Sequence, residues 1–272
     1  GSEIHDQDIV LTGHLQEEKF SANDDGSGCA NVLEVARAFK KMIDEGKMPR
    51  PRRDIRFWWV NENRSEDQYF ADHPEEARQM LANINQDMSG AKQSVESRVQ
   101  FVTFPPSSRA SFLGDLVESV IYTLVDGNTS YLSAHAAKQM QYPWMDTEEL
   151  HPSKGIYSRL GTRERYDARV IPFHNSTDSQ TFNQGVVGVP ATTFTDWPDE
   201  NIHSTSDDLW QVDPTQLKRN NIAVAAMTLY LANAGDADLP GLAAHLYGKS
   251  LQRLSRDARI AMEMVIEAAP AD

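Results

Sequence analysis

Two residues near the start of the chain carry the first chemical signal. His14 follows Gly13 and the apolar run Ile9-Val10-Leu11-Thr12, which reads as a strand. Asp24 lies in Asn23-Asp24-Asp25-Gly26-Ser27-Gly28, just ahead of a helix whose apolar positions Val32, Leu33, Val35, Ala36 and Phe39 fall at helical spacing. A histidine at the C-terminal end of a strand and an aspartate at a helix start meet at the edge of an open α/β sheet where ligands bind. Imidazole and carboxylate together at such an edge are donors for zinc. The glycines let the backbone turn tightly around whatever the aspartate holds. Taken singly, neither residue decides: a lone strand-end histidine is more often structural, and an aspartate at a helix start is usually an N-cap.

The elements that must position these residues follow from the hydrophobic patterning. Glu45-Gly46-Lys47-Met48-Pro49-Arg50-Pro51 stops the first helix. Asp54–Asn61 reads as a buried strand, followed by a charged helical stretch in which Pro74-Glu75-Glu76 fits a helix N-terminus. Leu81–Met88 and Arg98–Phe104 are expected strands, and Ser111–Val125 an amphipathic helix. Residues 127–168 are irregular and suggest a lid or insertion over the site. Arg169–Pro172 and Val186–Phe194 read as strands, Pro214 opens a helix running to about Asn233, and residues 241–267 form a last long helix. Alternating strands and helices predict one α/β domain over 1–272, a three-layer sandwich with a mixed, mostly parallel central sheet.

Composition narrows the partners. A net charge of −14 over 272 residues argues against nucleic acid, and an acidic site suits a cationic amino terminus. No apolar run reaches transmembrane length, so no membrane partner is expected. Cys29 is the single cysteine, read as a core residue on the first helix, so no internal disulfide forms. His5 is expected in a disordered leader. Gly1-Ser2 reads as a cloning remnant without a signal peptide behind it.

The block Ser21-Ala22-Asn23-Asp24-Asp25-Gly26-Ser27-Gly28 resembles that of the di-zinc exopeptidases of peptidase family M28, where a His-x-Asp and a loop precede Gly-Ala-Asn-Asp-Asn-(Ala/Gly)-Ser-Gly and a helix. Asn85-Gln86-Asp87-Met88 resembles the family's Asn-x-Asp-Met strand end, Asn61-Glu62 falls at its Glu-Glu pair, Ser176-Thr177-Asp178 at its Ser-Asp-His, and His203-Ser204-Thr205-Ser206-Asp207-Asp208 at its closing His-Thr-x-x-Asp. The resemblance implies a zinc exopeptidase fold, with one zinc on His14, Asp24 and Asp87, a second on Asp24, Glu62 and His203, and Asp24 as the bridge. Two zincs per chain are expected, one being the alternative. The implied reaction is removal of residues from the N-termini of peptides or proteins by a water that the metals activate, and the implied location is secreted or periplasmic. Family members carry more chain ahead of the first ligand His, so part of the N-terminal region is expected to lie outside this chain.

Two positions depart from the family pattern. Gln16 stands where an Asp orients the ligand histidine. If Glu62 is the ligand, Asn61 occupies the position of the general base, and Asn accepts no proton at neutral pH. The other alignment makes Glu62 the base and puts Asn63 at the ligand position. Glu66, Glu17 and Glu18 are further carboxylates that could serve as base. Asp178 and His174 are candidates for contact with substrate, whereas His73, His135, His151 and His245 lack a motif context. The competing functions are a one-zinc carboxypeptidase, a glutaminyl-cyclase-like enzyme, or a zinc-binding scaffold with impaired catalysis.

Overall fold

The computed structural model describes residues 1–17, 20–95, 98–128, 155–175 and 177–268. Gly1–Asn233 form one compact unit and Ala234–Asp272 a second. In the first unit, among the described residues, the strands are β1 (Ile4–His14), β2 (Arg53–Val60), β3 (Met80–Gln86), β4 (Gln100–Thr103), β5 (Ala168–Ile171) and β6 (Ala191–Thr195). They make one sheet in the order β2-β1-β3-β6-β4-β5. All neighbours run parallel except β4 with β6, the mixed, mostly parallel sheet that the sequence predicts. The helices are α1 (Gly26–Asp44), α2 (Arg64–Asp72), α3 (Phe112–Gly127), α4 (Ser179–Asn183) and α5 (Pro214–Asn233). The second unit is a 3₁₀ turn, Asp236–Asp238, continuing into α6 (Leu239–Ala268), which covers the expected helix at 241–267.

Strand alternation makes the three layers. On β1, Ile9 and Leu11 face a core shared with Val32, Val35 and Phe39 of α1, Leu113, Val117 and Ile121 of α3, and Ala223, Val224 and Met227 of α5. Val10 faces the opposite core, with Phe70 of α2 and Phe182 of α4. Each of the larger of these side chains contributes about 1.5–3 kcal/mol of transfer free energy. Thr12 and His14 follow Val10 on the same face, so the buried apolar run of β1 gives way to polar side chains at its C-terminal end. There Thr12 donates to Asn85 Oδ1 at 2.8 Å, and Asn83 donates to Thr12 Oγ1 at 3.0 Å.

Several elements differ from expectation for local reasons. His5 belongs to β1, with Nδ1 2.7 Å from Asp54 Oδ2 at the start of β2, and is not in a disordered leader. Val186–Pro190 is a turn, because Gly188 adopts φ +75°, and the strand begins only at Ala191. Pro74 follows α2 instead of opening a helix, and only a 3₁₀ turn, Glu76–Gln79, follows it. Residues 129–154 of the expected lid lie outside the described residues, and 155–167 are irregular chain leading into β5.

Candidate metal centre

The parallel strands β2, β1, β3 and β6 end at one edge of the sheet, and an acidic or metal-ligating residue leaves each of them. Glu62 follows β2, His14 ends β1, Asp87 follows β3 and Asp196 follows β6. Asp24 enters the same edge from the loop ahead of α1. Asp25, beside it, ties the edge together: its Oδ2 accepts from His14 N at 3.0 Å, and its Oδ1 accepts from Gly28 N at 2.9 Å and Met88 N at 3.3 Å. Of this neighbouring pair, then, Asp25 is the helix cap and Asp24 is left to face the cluster. Asp207 holds Asp24 from the other side, accepting from the backbone N–H groups of Asn23 at 2.8 Å and Asp24 at 2.9 Å. The Asn23 side chain donates to Asp196 and Asp199, and Arg98 pairs with Asp199 at 2.6 Å.

Two three-residue clusters share Asp24. In the first, His14 Nε2 stands 3.5 Å from both Asp24 Oδ1 and Asp87 Oδ1, and all three residues are buried. In the second, His203 Nε2 lies 3.1 Å from Asp24 Oδ2 and 3.4 Å from Glu17 Oε2. The 3.5 Å separations from His14 are too long for good hydrogen bonds, and both ring nitrogens of His14 and Asp87 Oδ1 are buried without a hydrogen-bond partner. Unpaired buried donors and acceptors of this kind are costly, and a cation between His14 Nε2 and Asp87 Oδ1 would satisfy both of those atoms. The donor set, imidazole with carboxylate, suits zinc. Among the described residues four non-glycine residues have positive φ, and three of them, Asn63, Met88 and His203, sit at or directly after Glu62, Asp87 and the closing histidine. Such conformations cost of order 1–3 kcal/mol each and gather at functional sites.

The electrostatics express a shortage of positive charge. Burial and the Asp87 charge push the Asp24 carboxyl up to about 8, with His14 opposing. Burial would hold the His14 imidazole down, but the charges of Asp87, Asp25 and Asp178 push it up to about 11. Metal-free, the cluster therefore retains protons where a metal would otherwise sit.

The remaining candidates fall into distinct places. Glu62 groups with His14 and Glu17, one ligand atom of each lying within 4.8 Å of the others, and does not join Asp24 and His203 in a cluster. Burial and the charges of Asp87, Asp178 and Glu17 push its carboxyl up to about 7, with His14 opposing. Asn61 is exposed, its N–H bonded to Ser65 Oγ at 2.9 Å. Glu66 is buried against Asp178; burial and that neighbour push it up to about 9, so it keeps its proton at neutral pH. Asp178 itself is wholly buried, and its Oδ1 accepts from Asn63 N at 3.2 Å. This places Asp178 beneath the Glu62 loop as a positioning residue, not on a surface that substrate reaches. His174 is half-buried, its pKa lowered by burial against the opposing charge of Asp87. Gln16 does not orient His14: its Oε1 accepts from Glu62 N at 2.7 Å and its Nε2 donates to Glu17 Oε1 at 3.1 Å. Sequence reasoning assigned no role to Asp25 or Asp207 and gave Glu17 only a base role. Asp25 and Asp207 lie inside the two blocks that carry the family resemblance.

The sequence profile of peptidase family M28 matches residues 1–228. The chain belongs to peptidase family M28. Among solved structures, a zinc aminopeptidase from Bacillus subtilis is 16% identical with a TM-score of 0.55, over 84% of this chain and 47% of its own. The LapA aminopeptidase of Legionella pneumophila is 15% identical with a TM-score of 0.57, over 84% of this chain and 52% of its own. A glutaminyl cyclase from Macrostomum lignano is 16% identical with a TM-score of 0.53, over 83% of this chain and 67% of its own. This M28 chain thus spans about half the length of the aminopeptidases whose fold it shares. A comparison with curated protein sequences finds no match.

Proposed function

We propose that this M28 domain is a zinc-dependent exopeptidase, acting as an aminopeptidase on the N-termini of peptides, with two zinc ions bridged by Asp24. The observation that carries the reading is the pair of clusters, His14–Asp24–Asp87 and Glu17–Asp24–His203, joined through one buried carboxylate. The family and the aminopeptidases of the same fold support the peptide-hydrolase class. Zinc bound there supplies Lewis-acid polarisation of the scissile carbonyl and lowers the pKa of water. The chain's own residues do the rest. Glu62 takes the part of general base: it stands beside the clusters, in a group with His14 and Glu17, without joining the Asp24–His203 pair. Gln16 fixes it through the Glu62 N–H, and Asp178 fixes the next residue through the Asn63 N–H. The acidic surroundings favour a substrate with a free, cationic amine over one with a carboxylate end. Export to the periplasm or the cell exterior belongs to the same reading.

The test is cleavage of chromogenic aminoacyl amides by the chain as it stands. Turnover that needs a free α-amine, disappears with a chelator and returns with zinc supports the reading. Equal cleavage of the N-acetylated amide overturns the aminopeptidase assignment. Release of pyroglutamyl product from N-terminal Gln alone moves the assignment to cyclisation.

A further inference from the structure

We infer that Glu17, and not Glu62, is the carboxylate that completes the second zinc subsite with Asp24 and His203. The inference rests on the paired-zinc reading above. Three observations carry it. First, Glu17 lies within the cluster: its Oε2 is 3.4 Å from His203 Nε2, in a group whose ligand atoms all lie within 4.8 Å of one another, and its side chain is only 11% exposed. Second, its other oxygen, Oε1, is 3.4 Å from His14 Nδ1, so one carboxylate spans both histidines. Third, Gln16 determines how that carboxylate lies. Its amide donates to Glu17 Oε1 and accepts from Glu62 N. The donation to Oε1 leaves Oε2 to face His203.

Ligand count gives the same answer. A catalytic zinc takes three protein ligands and keeps a further position open. His14, Asp24 and Asp87 supply three on one side. On the other, Asp24 and His203 supply two, and among the described residues Glu17 is the acid that groups with them. Glu62, which groups with His14 and Glu17, is then left for proton transfer. The ligand role moves from the strand end after β2 to the loop after β1.

The test is a competition titration of the full chain with a chromophoric zinc chelator, resolving the two binding steps without any turnover. Loss of an outer-shell partner costs 10–100-fold in metal affinity, so loss of a ligand should exceed about 100-fold. Glu17→Gln is expected to weaken the second step by at least that factor and the first by less than about 100-fold, because there His14 Nδ1 loses only an outer neighbour; the retained first step also reports that β1 and β3 still present that subsite. Glu17→Asp should fall between Glu17→Gln and wild type, and Glu62→Gln should leave both steps within about tenfold. If Glu62→Gln loses the second ion while Glu17→Gln keeps it, or if Glu17→Gln binds two ions as wild type does, the assignment is overturned alone. A wild-type chain that binds no zinc overturns this assignment and the metal reading beneath it.

Discussion

Asp25 offers the sharpest test of how the fold builds the site, because it touches ligand-bearing backbone at three points and faces neither cluster. Its carboxylate accepts from His14 N at the end of β1, Gly28 N in the first turn of α1 and Met88 N after β3. The residue is 1% exposed, so water does not replace it when it is removed. In Asp25→Ala the helix cap is lost at about 1 kcal/mol, and two further amides are left unpaired at about 1–3 kcal/mol each, for a total of about 3–7 kcal/mol. Asp25→Asn keeps one carbonyl oxygen but turns an NH₂ toward the His14 N–H, and is expected to lose about 1–2 kcal/mol. The assay is urea unfolding of the metal-free chain, with a thermal melt alongside; at about 2–4 °C per kcal/mol, Asp25→Ala should lower Tm by about 6–28 °C. Zinc affinity should also fall by at least about tenfold, because His14, Asp24 and Asp87 lose their common anchor. An Asp25→Ala chain within about 1 kcal/mol of wild type, with unchanged zinc affinity, would refute the reasoning.

Other consequences are as specific. A Cβ on Gly28 would lie 2.1 Å from the Gln86 carbonyl oxygen and 2.3 Å from Asp25 Oδ1. Gly28→Ala should therefore cost more than about 3 kcal/mol by forcing α1 from β3, whereas Gly248→Ala in open space on α6 should stabilise by about 0.5–1 kcal/mol; equal effects in denaturant melts would contradict the packing. Asp24→Asn is expected to lose at least one zinc in metal analysis, while a cap role alone would leave zinc content intact and cost only a few tenths to about 1 kcal/mol. The pH dependence has a definite sign. Asp24 and Glu62, held at about 8 and about 7, and His14, at about 11, all bind protons more tightly folded than unfolded. The metal-free chain should accordingly lose stability as pH rises from about 5 to 9, with the carboxylates contributing from about 4 upward and His14 from about 6.5. Zinc should raise Tm more at pH 8 than at pH 6, because the metal takes the place of those protons; a metal-free Tm that climbs over this range would count against the charge balance described here.

Much of this was legible in the sequence because it is local. The Asn23–Gly28 block combines a turn, a cap and a helix start, and the strand ends at His14 and Asp87 follow from apolar runs that stop abruptly. The family resemblance then supplied Asp24 as the shared residue, and the structure brings His14, Asp24, Asp87 and His203 to one edge. The remainder depends on chain path. Nothing in Leu15-Gln16-Glu17 shows that the loop curls back to set Glu17 between His14 and His203, because that curl is fixed by Gln16 meeting Glu62, 46 residues away. The same holds for Asp207, which reaches Asn23 across 184 residues. Asp178 reads from the sequence as a candidate for contact with substrate, but the five-residue α4 is too short to show a period, and the burial of Asp178 is a tertiary fact. Val186-Val187-Gly188-Val189 has the composition of a strand and the backbone of a turn, a conflict that Gly188 resolves.

The most direct test of the central claim is an anomalous difference map, recorded across the zinc edge, from crystals of the chain grown with zinc. The account predicts two peaks roughly 3.5–4 Å apart, one within bonding distance of His14 Nε2, Asp24 and Asp87, the other of Asp24, Glu17 and His203. A map with no zinc peak at Asp24 would contradict it.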